Sequence, residues 1–191
     1  PLTITAHDAL LIIDVQNDFL DGGALAVPNG TEVVEPINRL ARKPFGAIIA
    51  SQDWHPARHC SFKEQEGPWP VHCVAGTSGA KFPLLLDERP ITQIIRKGTS
   101  PSRDSYSAFL DNDRATKTGL DGLLKNLGIQ RVFITGVALD YCVAATAFDA
   151  ANLGYAVHVI PEACRSIADD CSDLFSKFEK ATIRLTDLAK I

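Results

Sequence analysis

Residue types that do chemistry recur near the ends of apolar runs in this chain: Asp14 closes "ALLIID", Asp53 and His55 follow "GAIIAS", Lys97 ends "TQIIRK", and Cys142 comes shortly after "RVFITGV". Cys142, in "GVALDYCVAATAF", falls about one turn into the helix expected after its run. Unsatisfied backbone N–H groups and the positive end of the macrodipole there favour a thiolate and can hold an oxyanion, with the amides of Ala138 and Cys142 as donors. The plain alternative is a small buried hydrophobe on a helix rich in Ala and Val. A nucleophilic thiol needs a base. Between a free thiol (about 8.5) and a free aspartate (about 3.9), proton transfer is uphill by about 6 kcal/mol. Burial of Asp14 at a central strand end raises its proton affinity, while the helix start and a nearby ammonium are expected to lower that of the thiol. Lys97 can be that ammonium, so Asp14, Lys97 and Cys142 read as base, cation and nucleophile. Asp14 would then protonate a leaving amine and later activate water against a thioester.

A second constellation starts at Asp53 and His55. Spaced by two along extended chain, their side chains share one side. His72, from "WPVHC", adds a second imidazole. One carboxylate and two imidazoles leave positions open for water or substrate, as catalytic or substrate-binding Zn²⁺ sites do, and Fe²⁺ or Mn²⁺ could accept the same donors. The rival assignments are a structural zinc site from His59-Cys60 and His72-Cys73, or no metal and merely hydrogen-bonded imidazoles. Ser61 is close enough in sequence for a weak or water-mediated contact. Phe19, Trp69 and Tyr106 lie on loops where flat apolar side chains could sandwich a planar ring, or simply pack on one another. A metal that binds a ring nitrogen and a thiol that attacks an exocyclic carbonyl would account for all of these parts.

The apolar runs that carry these residues are short and mostly continuous, which suits strands buried on both faces. Helical patterns separate several of them: "EVVEPINRLAR", "GLDGLLKNLG", "LDYCVAATAFDAANLG" and "DLFSKFEKA". Strands alternating with helices predict a doubly wound α/β fold: a mostly parallel sheet of about six strands, helices on both faces, ligands bound outside the carboxyl ends of the strands. At 191 residues and 46% hydrophobic, residues 1–191 are expected to form one domain. A net charge of -4 without a basic run argues against nucleic acid and anionic membranes as partners. No apolar run approaches the length of a membrane span and no signal peptide is apparent. Five cysteines form no regular framework, which fits a reducing compartment. A cytoplasmic protein is expected. The final Ala-Lys-Ile, one or two conservative changes from Ser-Lys-Leu, offers a peroxisome-like address as the alternative.

Taken together, "DVQNDF", "SQDWHP", "WPVHC" followed by "GTSGA", and "GVALDYCV" resemble the isochorismatase-like cysteine hydrolases, and among them the nicotinamidases, in order across nearly the whole chain. The resemblance implies hydrolysis of nicotinamide to nicotinate and ammonia in NAD salvage, through a thioester on Cys142 with Asp14 and Lys97 completing the triad. It further implies one divalent metal ion on Asp53, His55 and His72, expected to be Zn with Fe or Mn open, and an oxyanion role for Ala138 with a cis peptide between Val137 and Ala138. It also implies ring binding by Phe19, Trp69 and Tyr106. One departure stands out. In many members a Tyr-Ser-Ala-Phe segment follows the lysine within a few residues, whereas here "GTSPSRDS" separates Lys97 from Tyr106. Other readings remain: a metal-free amidase or isochorismatase-type enzyme, a metal-bound hydroxide with Cys142 inert, and a pyridine-binding protein without turnover. The expected partner is a small molecule, and the oligomeric state, homo-oligomers included, is open.

Overall fold

A computed structural model describes residues 1–191. Six strands form one sheet: β1 (Asp8–Ile13), β2 (Ala47–Asp53), β3 (Gln93–Lys97), β4 (Arg131–Val137), β5 (Ala156–Arg165) and β6 (Arg184–Leu185). Their order is β3-β2-β1-β4-β5-β6 and every pairing is parallel. The doubly wound sheet is therefore present, wholly rather than mostly parallel.

The period-2 alternation of side chains along each strand sorts the core onto two faces. On one, Ala9, Leu11, Ile13, Ile49, Val132 and Ile134 pack against α2 (Leu120–Asn126), α3 (Ala144–Asn152) and α4 (Ser172–Lys180). On the other, Leu10, Ile12, Ile48, Ala50 and Phe133 pack against α1 (Val34–Leu40) through Val34, Ile37 and Leu40. The central strands β1 and β2 are buried along their whole length. β3 and β6 are edges, where the expectation of burial on both faces does not hold: Ile94 and Leu185 reach solvent. The crossover from β2 to β3 contains no α-helix. Residues 54–92 run through 3-10 turns and isolated bridges, His55 to Val74 and Phe62 to Trp69, and most of the polar site residues lie on or beside this segment.

The strand order reverses at β1. Its chain successor β2 lies on one side and β4 on the other, so loops leaving the carboxyl ends of β1 and β4 diverge and leave a crevice between them. Asp14 follows β1, Ala138 follows β4, and Asp53 and Lys97 are the last residues of β2 and β3. Gly136 makes this approach feasible. Its φ is 116° and a Cβ there would collide with the backbone of Ile13, a close contact that only glycine permits.

Away from the crevice, His158 in β5 stacks on Phe133 with ring centroids 4.7 Å apart, and its Nδ1 lies 2.6 Å from Thr186 Oγ1. Burial, reinforced by Arg131 and Arg184, pushes its pKa down to about 4 from 6.5. A base depressed in the folded state is protonated first in the unfolded chain. The stability tied to neutral His158 is thus present above pH 6.5 and lost as the pH falls toward 4. We expect His158→Asn to flatten the fall in thermal midpoint across that window. An unchanged acid limb would show that His158 does not govern it.

Candidate active site

β1 ends in a sharp turn: Asp14 has φ 54°, a left-handed conformation that aspartate tolerates better than bulkier residues. The turn points its side chain into the crevice, where it is fully buried. Ser51 Oγ donates to Asp14 Oδ1 at 2.7 Å, and Lys97 Nζ lies 2.8 Å from Oδ2. The same ammonium donates to Asp53 Oδ1 at 2.6 Å and to the Ser105 carbonyl at 2.8 Å, and it stands 3.6 Å from Cys142 Sγ. One buried cation therefore touches the carboxylate of β1, the carboxylate of β2 and the thiol beyond β4.

The two carboxylates do not share it equally. Burial pushes Asp14 up, and Lys97 only partly offsets that. Burial also acts on Asp53, but Lys97 and then His55 hold it well below the usual carboxylate range. Two acidic groups that share one ammonium thus differ in proton affinity, Asp14 taking a proton more readily than Asp53. For Lys97, burial is outweighed by Asp14, Asp53 and Cys142, so the ammonium stays charged.

Cys142 corrects an expectation. Its thiol is raised well above its ordinary value, not lowered. Burial is the largest cause, and Asp14 and Asp53 add to it against the opposing pull of Lys97. The ammonium does not reverse this, because full burial penalises the thiolate more than Lys97 favours it, and the two carboxylates add to the penalty. Burial thus favours the protonated sulfur over the thiolate. The helix itself begins with a π-turn over Leu139–Val143, in which the Ala138 carbonyl accepts from both Tyr141 and Val143 N–H groups. Such wide turns recur at functional sites. The Val137–Ala138 peptide is cis, and the Ala138 N–H has no hydrogen-bond acceptor within the protein.

Asp53 Oδ2 lies 3.2 Å from His55 Nε2 and 3.7 Å from His72 Nε2. In both imidazoles Nδ1 faces a carbonyl at 2.7 Å, that of Gly98 for His55 and of Pro70 for His72. A carbonyl only accepts, so each Nδ1 donates, and each Nε2 is the atom that faces Asp53, available to a cation once it gives up its own proton. His55 Nε2 is buried without any hydrogen-bond partner. An orphaned ring nitrogen beside a carboxylate and a second imidazole fits a divalent cation, with the carbonyl bonds as the outer support that metal-ligating histidines have. The His59-Cys60/His72-Cys73 arrangement does not form: Cys73 Sγ lies 3.9 Å from the Gly79 carbonyl, and neither Cys60 nor Cys73 joins the convergent groups of potential ligand atoms. His59, Asp104 and His55 also converge. Both His59 nitrogens are already engaged, however, Nδ1 with Ser61 Oγ at 2.7 Å and Nε2 with the Arg103 carbonyl at 2.8 Å. His59 instead stacks on His55 at 4.0 Å. Ser61 contacts His59 rather than the Asp53 cluster.

Gly98 supports this cluster twice, through its carbonyl and through its missing side chain. Its φ is 62°, and a Cβ would overlap the His55 ring. Gly98→Ala should displace His55 and lower metal affinity at least tenfold, roughly the loss seen when outer supports of metal ligands are removed. Titration with Zn²⁺ after chelation measures it, and wild-type affinity would contradict this placement.

The thiol and the Asp53 cluster face one pocket. It is lined mainly by apolar residues, among them Phe19, Trp69, Tyr106, Tyr141, Leu25 and Ile167, with Asp53, His72, Ala138 and Cys142 also in its wall. Despite the longer segment before it, Tyr106 reaches the pocket, and its hydroxyl accepts from Trp69 Nε1 at 3.2 Å. The segment is tied back by its Pro101, Arg103 and Ser105 carbonyls. Tyr141 meets the rings of Trp69 and Tyr106 edge-on at 5.4 and 5.7 Å. Sequence reasoning missed Tyr141, Ile167, Ser51 and Gln16. The Gln16 amide brackets the Asp53 main chain: Oε1 accepts from Asp53 N–H at 2.9 Å, and Nε2 donates to the Asp53 carbonyl at 2.8 Å and the Ala80 carbonyl at 2.9 Å. The signal available was Gln16 itself, two residues past Asp14 in the polar strand exit "DVQNDF".

A family model for the isochorismatase domain matches residues 8–189, and the chain belongs to that family. Within it, the chain is 43% identical to the nicotinamidase of Escherichia coli (strain K12), over 95% of each chain. Among solved structures it is similar to PnC1 from L. infantum in complex with nicotinate, at TM-score 0.96 and 40% identity, covering 98% of this chain and 96% of that one. It is also similar to a pyrazinamidase of Pyrococcus horikoshii in complex with zinc, at TM-score 0.84 and 37% identity, covering 95% and 99%. No helix is long and apolar enough to cross a membrane.

Proposed function

We propose that this chain, as a single domain over residues 1–191, hydrolyses nicotinamide to nicotinate and ammonia in NAD salvage, with Cys142 as nucleophile. The observation that carries the reading is Lys97: its ammonium contacts Asp14, Asp53 and Cys142, and the last two line the aromatic pocket. The nucleophile and the ring-anchoring cluster are thereby set a fixed distance apart.

Phe19, Trp69 and Tyr106 hold the pyridine ring and exclude water from it. Asp53, His55 and His72 would hold one divalent metal ion, Zn being the first choice. When bound, that ion supplies a Lewis acid for the ring nitrogen, which orients the carboxamide toward the thiol. Asp14 takes the Cys142 proton as sulfur attacks the carboxamide carbon, and the Ala138 and Cys142 N–H groups stabilise the developing oxyanion. Asp14 then delivers that proton to the departing nitrogen, so ammonia leaves and a thioester remains. In the second half Asp14 accepts a proton from water, the hydroxide adds to the thioester carbon, and the C–S bond breaks. The thiolate recovers the proton from Asp14 and nicotinate is released. Lys97 keeps Asp14 ionised between these transfers. Cytoplasmic localisation accompanies this reading, supported by five cysteines that all remain free thiols.

A coupled ammonia assay on nicotinamide, before and after chelation and with Zn²⁺ added back, tests the proposal. The expected outcome is ammonia release that falls at least tenfold on chelation and returns with metal. No release from nicotinamide by the metal-loaded protein would refute it.

A further inference from the structure

Residues 166–168, which follow β5, rest on the rim of the pocket, and Ile167 forms part of its wall. Ser166 Oγ donates to the Ala168 carbonyl within the segment itself. Only two hydrogen bonds tie residues 166–168 to another part of the chain, and both go to one side chain: Ile167 N–H and Ala168 N–H donate to Asp140 Oδ1 and Oδ2, each at 2.9 Å. Asp140 lies in the π-turn that carries Cys142. The turn thus carries Cys142 and, through Asp140, also grips residues 166–168 at the pocket.

We infer that Asp140 is a positioning residue that sets substrate selectivity, by latching residues 166–168 so that Ile167 closes the pocket against ring-substituted pyridine carboxamides. A carboxylate is the side chain this geometry needs, because its two oxygens accept from two successive N–H groups at once. An amide offers one acceptor and turns a donor toward the other N–H. Ile167 is 40% exposed, so apolar packing alone holds it weakly, and release of the latch frees the wall without disturbing the sheet. A pocket that has lost one wall binds the small ring less tightly and excludes a methyl group less well. Discrimination of a single methylene by an apolar pocket is roughly 10- to 200-fold, which bounds the effect.

The selectivity half of the inference rests on the nicotinamidase reading, so the test has one arm that does not depend on it. In amide hydrogen exchange, Asp140→Asn should speed exchange at Ile167 and Ala168 about tenfold or more while β4 and β5 keep wild-type protection. In the assay, Asp140→Asn should raise KM for nicotinamide about tenfold with kcat within about threefold. Across nicotinamides methylated at each free ring carbon, kcat/KM relative to nicotinamide should rise about tenfold for at least one. Ile167→Ala should reproduce the selectivity change, and the double variant should add little to either single one. Unchanged exchange at both amides overturns the latch. A fall in kcat with unaltered selectivity overturns the role of Ile167 and places Asp140 with the nucleophile instead. Wild-type protein inert toward nicotinamide would count against the substrate reading, and the exchange arm would still decide the latch.

Discussion

Cys142→Ala is expected to lower nicotinamide turnover by about 10⁴-fold or more, the scale on which loss of a nucleophile registers when binding and oxyanion groups remain. The substitution removes one sulfur from a buried site whose other contacts survive, since Lys97 keeps Asp14, Asp53 and the Ser105 carbonyl. The stability cost should be about 1 kcal/mol. Metal content and affinity for nicotinate should stay near wild type, because Asp53, His55 and His72 are held by Gln16, Gly98 and Pro70. Turnover within tenfold of wild type would transfer the chemistry to a metal-activated hydroxide.

Lys97→Met should act on folding as well as on catalysis. It leaves Asp14 and Asp53 facing each other in a site from which water is excluded. Removing one partner from a buried ion cluster costs about 3–5 kcal/mol, a large share of the 5–15 kcal/mol or so that typically separates folded from unfolded chains. The chevron or equilibrium denaturation midpoint should fall accordingly, and activity should fall about as far as in Cys142→Ala. Adding Asp14→Asn to Lys97→Met removes one uncompensated charge and should recover stability without recovering turnover. Wild-type stability in the single variant would mean that the cluster is not the buried network described above.

Much of this arrangement is legible in the amino-acid sequence. Continuous apolar runs marked the strands, and the rule that ligands gather at strand carboxyl ends singled out Asp14, Asp53, Lys97 and the turn before Cys142. Geometry added what spacing cannot carry. That one ammonium bridges both carboxylates depends on β3 lying beside β2, a pairing set by a crossover with no helix to announce it. The raised Cys142 thiol comes first from its full burial and then from Asp14 and Asp53 standing close to it, none of which local reasoning about a helix start includes. Tyr141 and Ile167 were hidden for another reason. An aromatic residue next to a nucleophile and an isoleucine after a strand both read as packing until the π-turn and the loop bring them to the same rim.

The bracketing of Asp53 by Gln16 bears on whether such a centre can be moved into another scaffold. Beyond β1 the amide substitutes for main chain, offering Asp53 the donor and the acceptor that a longer strand would have supplied. Grafting the three ligand side chains alone would therefore transplant the donors and leave behind their alignment. A designer would have to carry the glutamine along, or lengthen the neighbouring strand to replace it.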